Sequence, residues 1–217
     1  MATREQALIA TYGSFVVDVE RVGSVFKQAM NGYVDLQHGT PLLNRSAAWY
    51  CLIELHDAWA RFCRQVVLLS ASGDIETRMG RFVSRSTTLA KNDDPESVLR
   101  QRLKRSKWNR NQFPWHIRQA TIDAANLLTV GNYSWIAAGI SAVSPAPEEL
   151  CACRNFLAHR GKRTATHSDI QQLRSRIGAH TRNITVSSLP AIYVPGGVTL
   201  FEEWCIELQS LAFAAIE

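Results

Sequence analysis

Residues 45–70 read RSAAWYCLIELHDAWARFCRQVVLLS, and they carry the strongest structural signal in the chain. Their apolar members recur at helical spacing over a broad face, which predicts a long helix at the centre of a bundle. A polar cluster within the stretch consists of Glu54, His56, Asp57, Arg61 and Arg64. Asp57 and Arg61 stand four positions apart in the acid-first order that favours a helical ion pair. This face is either a solvated surface with one salt bridge or the border of a site, with Asp57 and Arg61 binding substrate.

Helical patterns also flank this stretch on both sides. They predict helices over residues 3–30, 114–128, 147–160, 168–177 and 200–216, and shorter helices that begin near Asp74 and Pro95. The segment that ends in Pro195-Gly196-Gly197 indicates either a small β-hairpin near residues 190–199 or an ordered loop. Together the patterns predict an all-α fold with short inserted helices. We expect one domain over residues 1–217, with a basic helical insert at about residues 73–143.

The composition is that of an ordinary globular protein. The chain has 217 residues, 46% hydrophobic and 20% charged, which argues against wholesale disorder. A formal net charge of +5 gives a mild preference for polyanionic partners. Five cysteines without framework or zinc-ligand spacing predict reduced thiols in a cytoplasmic protein, with no metal or other cofactor. We expect no membrane span, because no apolar run reaches roughly 20 residues, and the N-terminus has no secretory signal pattern.

Cations and aromatic residues are mixed between residues 100 and 118. The cations are Arg100, Arg102, Lys104, Arg105, Lys107, Arg110 and Arg118, and the aromatic residues are Trp108, Phe113 and Trp115. Such a mixture suits a single-stranded nucleic acid, because cations pair with phosphates and rings stack on bases. The alternative is that the rings belong to the core and the cations are solvated. The sequence leaves both interpretations open.

The segment Arg154-Asn155-Phe156-Leu157-Ala158-His159 concentrates the most reactive side chains, and Arg160, Lys162 and Arg163 follow it directly. The chain contains no phosphate-binding glycine loop, HExxH pair, Gly-x-Ser-x-Gly elbow or acidic cluster for two metal ions. Arg154 and His159 are five positions apart, which on a helix means about 140° of rotation and roughly 7.5 Å of rise. Because they do not share a face, they either flank a groove or meet their copies across a two-fold dimer, and we expect the dimer interface to form the site.

Arginine and histidine together suit RNA cleavage without a metal. Histidine can take the proton of a ribose 2′-hydroxyl or donate one to the leaving 5′-oxygen. Arginine offers a planar fork to the phosphate and stabilises its developing charge. Asn155 can orient the histidine or hydrogen-bond the phosphate, and Arg160, Lys162 and Arg163 attract RNA. The alternative is that His159 is an ordinary histidine near a helix end.

The pattern of Arg154, Asn155 and His159 resembles the Arg-Asn-x-x-x-His signature of the HEPN superfamily. Residues 47–71 are similar to the long early helix of prokaryotic HEPN proteins. Residues 194–216 are similar to the closing helix of the RiboL-PSP-HEPN and MAE-type groups. Residues 72–143 do not match the minimal bundle of the family.

This resemblance implies a HEPN-like helical bundle that forms a homodimer and acts as a metal-independent endoribonuclease. It assigns Arg154 and His159 as the catalytic pair and Asn155 as an assisting residue, and we expect products with 2′,3′-cyclic phosphates. Family members of this kind commonly act as toxins or in anti-phage defence, which implies a cognate antitoxin or a defence-system partner protein. The alternative function is a non-catalytic RNA- or nucleotide-binding module of such a complex, and a third is a structural adaptor.

Overall fold

The computed structural model describes residues 6–31, 45–104, 108, 113–158, 166–177 and 186–217. Within them the α-helices are α1 (Ala7–Asn31), α2 (Arg45–Ser72), α3 (Pro95–Leu103), α4 (Arg118–Leu127), α5 (Tyr133–Ile140), α6 (Ala146–Ala158), α7 (Thr166–Arg176) and α8 (Leu200–Ala215). The predicted all-α fold is therefore confirmed. None of the helices in this part of the chain combines the length and apolar character that a membrane span requires.

One small antiparallel sheet, between α2 and α3, differs from the sequence expectation. It pairs β1 (Ile75–Glu76) with β2 (Phe82–Val83), where we predicted a helix beginning near Asp74. Gly73 and Asp74 both adopt positive φ angles, 71° and 56°, and this left-handed pair ends the helical path. Ile75 and Val83 are then buried opposite each other, as alternation in a strand pair requires.

The predicted hairpin near residues 190–199 exists in a reduced form. A 3₁₀-helix covers Val186–Ala191, and a single antiparallel bridge then joins Tyr193 to Thr199. The turn between them contains Gly196 and Gly197 with φ angles of 114° and 79°, which only glycine adopts readily. The segment is thus an ordered turn that delivers the chain into α8.

The chain divides into two compact units. We call Met1–Val16, Ala58–Ser144 and Gln209–Glu217 the hairpin unit, and Val17–Asp57 and Pro145–Leu208 the motif unit. The basic insert that we predicted at about residues 73–143 falls inside the hairpin unit. The single domain over residues 1–217 stays a prediction.

The hairpin unit has an aromatic core that mutual packing holds in place. Phe15 lies 5.0 Å from Phe62 and 6.1 Å from Trp59 between ring centroids. Elsewhere in the unit, Gly139 of α5 lies against the end of α8, where a Cβ atom would approach the backbone nitrogen of Ala215 to 2.4 Å. Only glycine permits this close approach of the two backbones.

The basic and aromatic stretch near residues 100–118 lies in the hairpin unit, and its described rings have structural contacts. Trp115 is buried and meets Phe113 edge to face, with the centroids 4.6 Å apart. Trp108 donates from Nε1 to Asp123 Oδ2 at 2.8 Å. These contacts agree with the core interpretation for the rings. Binding of RNA by the stretch stays a prediction.

In the motif unit, α1 and α8 meet through a ring stack. Phe26 and Phe201 lie with centroids 4.2 Å apart and planes inclined by 14°, and both are almost fully buried. Thr199 and Glu202 form a reciprocal cap at the start of α8, because each backbone N–H donates to the side chain of the other. The unit therefore has a fixed frame onto which α6 packs.

Candidate functional site

Helix α6 carries the predicted motif, and its first turn explains where it begins. Pro147 suits the first turn because its missing N–H is not needed there, and Glu148 and Glu149 lie at the positive end of the helix dipole. Leu150 and Cys153 are buried on one face. Residues Cys151, Arg154 and Asn155 are half-buried on a neighbouring face, since positions i, i+3 and i+4 adjoin.

A buried carboxylate anchors the start of α6. Glu149 accepts two hydrogen bonds from Arg176 of α7, at 2.7 Å from Nε and 2.6 Å from Nη2. It accepts a third from Trp204 Nε1 of α8 at 2.8 Å. Arg176 also donates from Nη1 to Glu203 at 2.9 Å. This network ties three helices of the motif unit together one turn before the motif.

The motif residues form a hydrogen-bonded chain along α6. Arg154 donates from Nη1 to Asn155 Oδ1 at 3.2 Å, and Asn155 donates from Nδ2 to Cys151 Sγ at 3.3 Å. The Asn155 amide is thereby fixed in one orientation. Arg154 Nε, in contrast, is buried and has no hydrogen-bond partner among the residues that the structure describes. One donor of the guanidinium is thus held, and another is left unsatisfied.

His56 of α2 lies beside this chain, with a side chain that is 7% exposed. It donates from Nδ1 to Asp57 Oδ1 at 3.1 Å, and one of its ring nitrogens lies within 4.8 Å of Cys151 Sγ. Burial lowers the pKa of His56, and the charge of Arg154 adds to this effect, which the bond to Asp57 opposes only in part. We therefore expect a neutral imidazole at neutral pH.

Cys151 is a thiol rather than a thiolate in this setting. Burial raises its pKa, although Arg154 and the hydrogen bond from Asn155 act in the opposite direction. A thiolate nucleophile is therefore not expected here.

Imidazole and sulfur at this separation are also ligand types that zinc accepts, so His56 and Cys151 could supply two ligands to a metal ion. The sequence expectation of no metal stays a prediction.

The structure brings together some of the predicted site residues. We use the term cluster for His56, Asp57, Cys151, Arg154 and Asn155, and three of these, Arg154, Asn155 and Asp57, were predicted site residues. Arg61 is exposed and belongs to the hairpin unit. The predicted residues His159, Arg160, Lys162 and Arg163 lie outside the described residues.

Sequence reasoning missed His56 and Cys151 as members of the cluster. For His56 a signal existed, because it stands in the polar group of residues 45–70 and directly precedes Asp57. No local pattern connects that group with Cys151, since nearly a hundred positions separate them along the chain. Only the packing of α2 against α6 within the motif unit brings the imidazole next to the thiol.

The cluster has the properties of an anion site with a proton acceptor nearby. The planar fork of an arginine guanidinium can bind two oxygens of an oxyanion such as a phosphate. A neutral imidazole can accept a proton. Comparisons of the chain with protein-family models, curated proteins and solved structures found no significant match.

Proposed function

We propose that the chain is a metal-independent endoribonuclease in which Arg154 binds the scissile phosphate. The observation that carries this proposal is the buried, unpartnered Nε of Arg154. A buried donor without a partner is costly, and such exceptions in proteins call for an explanation such as a ligand. A phosphate oxygen would satisfy this donor. Asn155 would hold the guanidinium in the binding orientation through Nη1.

The reaction needs one group to remove a proton and one to supply a proton. The 2′-hydroxyl loses its proton, its oxygen attacks the adjacent phosphorus, and the bond to the 5′-oxygen breaks. The 5′-oxygen takes up a proton as it leaves, so the products are a 2′,3′-cyclic phosphate and a 5′-hydroxyl. His159, five positions after Arg154, is the residue that we assign to proton transfer. Arg154 would stabilise the charge that develops on the phosphate oxygens.

The biological setting belongs to the same proposal. The similarity of the motif to the HEPN signature favours a toxin or an anti-phage defence effector. A homodimer would combine two Arg154 and two His159 residues at an isologous interface. Arg160, Lys162 and Arg163 would add an electrostatic attraction for RNA that weakens with salt. A cognate antitoxin or defence-system protein would control the activity.

The test is RNA cleavage in the presence of EDTA. Wild type, Arg154→Ala and His159→Ala are compared with Lys91→Ala, which alters an exposed cation outside the basic stretch of residues 100–118. We expect cleavage by the wild type and the Lys91 variant, and products that carry 2′,3′-cyclic phosphates. Equal cleavage by all four proteins would refute the proposal. Salt-sensitive RNA binding without cleavage under any condition would favour the non-catalytic binding module instead.

A further inference from the structure

A separate pocket in the motif unit lies between the second half of α1 and the start of α8. Its volume is about 230 Å³, and its lining residues are Phe26, Lys27, Met30, Tyr193, Thr199 and Glu202. All six belong to the motif unit, which also contains Arg154. The residues fall into an apolar group and a polar group, and the two groups together limit which chemical classes of ligand fit the pocket.

The apolar group consists of a fixed floor and an exposed ring. Phe26 is held by its stack on Phe201, and the half-buried Met30 follows one turn later on α1. Tyr193 is 61% exposed, although its backbone is fixed by the bridge to Thr199. An exposed aromatic ring on a backbone that is held in place offers a flat platform for stacking.

The polar group places a donor next to an acceptor. Glu202 Oε2 accepts from the backbone nitrogen and the hydroxyl of Thr199, at 2.8 and 2.9 Å, which fixes the carboxylate. Lys27 Nζ lies 3.1 Å from Glu202 Oε1. The Lys27 side chain is 65% exposed and that of Glu202 is 24% exposed, so both can meet a ligand. The pocket therefore offers an ammonium donor and a carboxylate acceptor side by side.

Several ligand classes fit this combination poorly. A free phosphate would meet the negative charge of Glu202. A purely apolar ligand would desolvate the Lys27–Glu202 pair without replacing its water contacts. A nucleobase combines a flat π-face with an edge on which a donor and an acceptor are adjacent. It is the chemical class that uses the ring and the ion pair together.

We propose that this pocket binds a nucleobase, which stacks on Tyr193 and presents its hydrogen-bonding edge to Lys27 and Glu202. The identification of this base as one of an RNA substrate rests on the proposed ribonuclease function. In that case the pocket selects which base is held while Arg154 binds a phosphate. Thr199 acts indirectly, because it orients the Glu202 carboxylate.

The experiment measures the binding of AMP, GMP, CMP and UMP separately by titration calorimetry. We expect at least one of them to bind to the wild type, and Tyr193→Ala to weaken that binding about tenfold or more. Tyr193→Phe keeps the ring and should bind as the wild type does. Lys27→Ala changes a largely exposed side chain and provides a second weakened variant that leaves the core intact. Glu202→Gln retains the capping interaction but should alter the preference among the four bases.

Tyr133→Ala is the matched control, because Tyr133 is an exposed tyrosine of the hairpin unit. The inference is overturned if none of the four nucleotides binds, or if ribose 5-phosphate binds as tightly as they do. It is also overturned if Tyr193→Ala has no larger effect than Tyr133→Ala. Binding needs no cleavage, so a wild type that binds nucleotides through Tyr193 but leaves RNA intact supports the pocket and refutes only the ribonuclease. Cleavage without nucleotide binding refutes only the pocket.

Discussion

Arg154 and Arg176 belong to the same compact unit but differ in how their guanidinium groups are satisfied. Arg176 donates from Nε and both terminal nitrogens to the carboxylates of Glu149 and Glu203. Arg154 donates from one terminal nitrogen to a neutral amide, and its buried Nε has no partner in the described part of the chain. The hydrogen bonds that Arg176 donates to Glu149 raise the pKa of Arg176, so its charge is secured by the fold.

Under the proposed function, the difference separates a structural arginine from one that would bind a ligand. A carboxylate fork around a guanidinium uses the geometry that would otherwise recognise a phosphate. Arg176 has that partner within the chain and holds α6, α7 and α8 together. Arg154 stands one to two turns further along α6 than Glu149 and lacks such a partner among the described residues. We therefore expect substitutions of Arg154 to lower activity and substitutions of Arg176 to lower stability.

The largest effect is expected from Arg154→Lys. Lysine keeps the positive charge but loses the planar fork, so RNA cleavage should fall about 100-fold or more. The free energy of unfolding should stay within about 0.5 kcal/mol of the wild type, because no partner of the lost Nε is left unsatisfied. Initial rates in EDTA and urea denaturation measure the two quantities.

Arg176→Lys is the matched control with the opposite pattern. It breaks the two-point contact with Glu149 and should lower stability while the folded fraction retains its cleavage rate. If both variants remain folded and both lose cleavage, the hydrogen bonding of the two arginines does not separate a structural role from a catalytic one.

The next effect is a loss of stability in Glu149→Gln. The new amide group would point N–H donors at Arg176 and Trp204, which are donors themselves. We expect the free energy of unfolding to fall by about 2–3 kcal/mol, because Arg176 loses its charged two-point acceptor and the buried Trp204 N–H loses its acceptor. Glu148→Gln, at the exposed neighbouring position, should change stability by less than about 0.5 kcal/mol. Similar denaturation curves for both variants would contradict the anchoring role of Glu149.

Much of the helical fold could be predicted from sequence, because periodicity and caps are local signals. Asp94 caps α3 by accepting from the backbone of Ser97, and Pro95 occupies the first turn, as expected. The β1–β2 hairpin could not be predicted in this way. Asp74 is a good helix cap by residue type, but here Gly73 and Asp74 have positive φ angles, and Gly73 passes so close to Arg85 that a Cβ atom would clash. That constraint comes from tertiary packing.

The candidate site also has a part that local sequence signals predict and a part that depends on tertiary packing. Arg154 and Asn155 were predicted because they are adjacent in the sequence. The Glu149–Arg176 contact and the position of His56 beside Cys151 depend on packing between helices, which residue spacing does not report. The sequence also indicates nothing about the unpartnered Nε of Arg154, since an orphan donor is defined by its surroundings.

A smaller effect is expected from Asn155→Ala. The substitution removes the acceptor that holds Arg154 Nη1, so the guanidinium samples other orientations. One such hydrogen bond contributes about 1 kcal/mol, which corresponds to a roughly fivefold loss in kcat/KM. Cys151→Ser keeps an acceptor for the Asn155 amide and should stay close to the wild type. Equal losses in both variants would show that Asn155 acts through Cys151 rather than through Arg154.

The smallest effect concerns the charge of His56 beside Arg154. Burial places its folded pKa below the ordinary histidine value, so the unfolded chain binds a proton more readily at mildly acidic pH. Stability should therefore fall as the pH drops from about 7 through the unfolded pKa of about 6.5. The fall should end below the folded pKa, where both states are protonated. His56→Gln cannot take up this proton, so its free energy of unfolding should decline less between pH 7.5 and pH 5.5 in urea titrations. Parallel declines in the two proteins would mean that His56 carries a charge in the folded state and that Arg154 tolerates a cation at this distance.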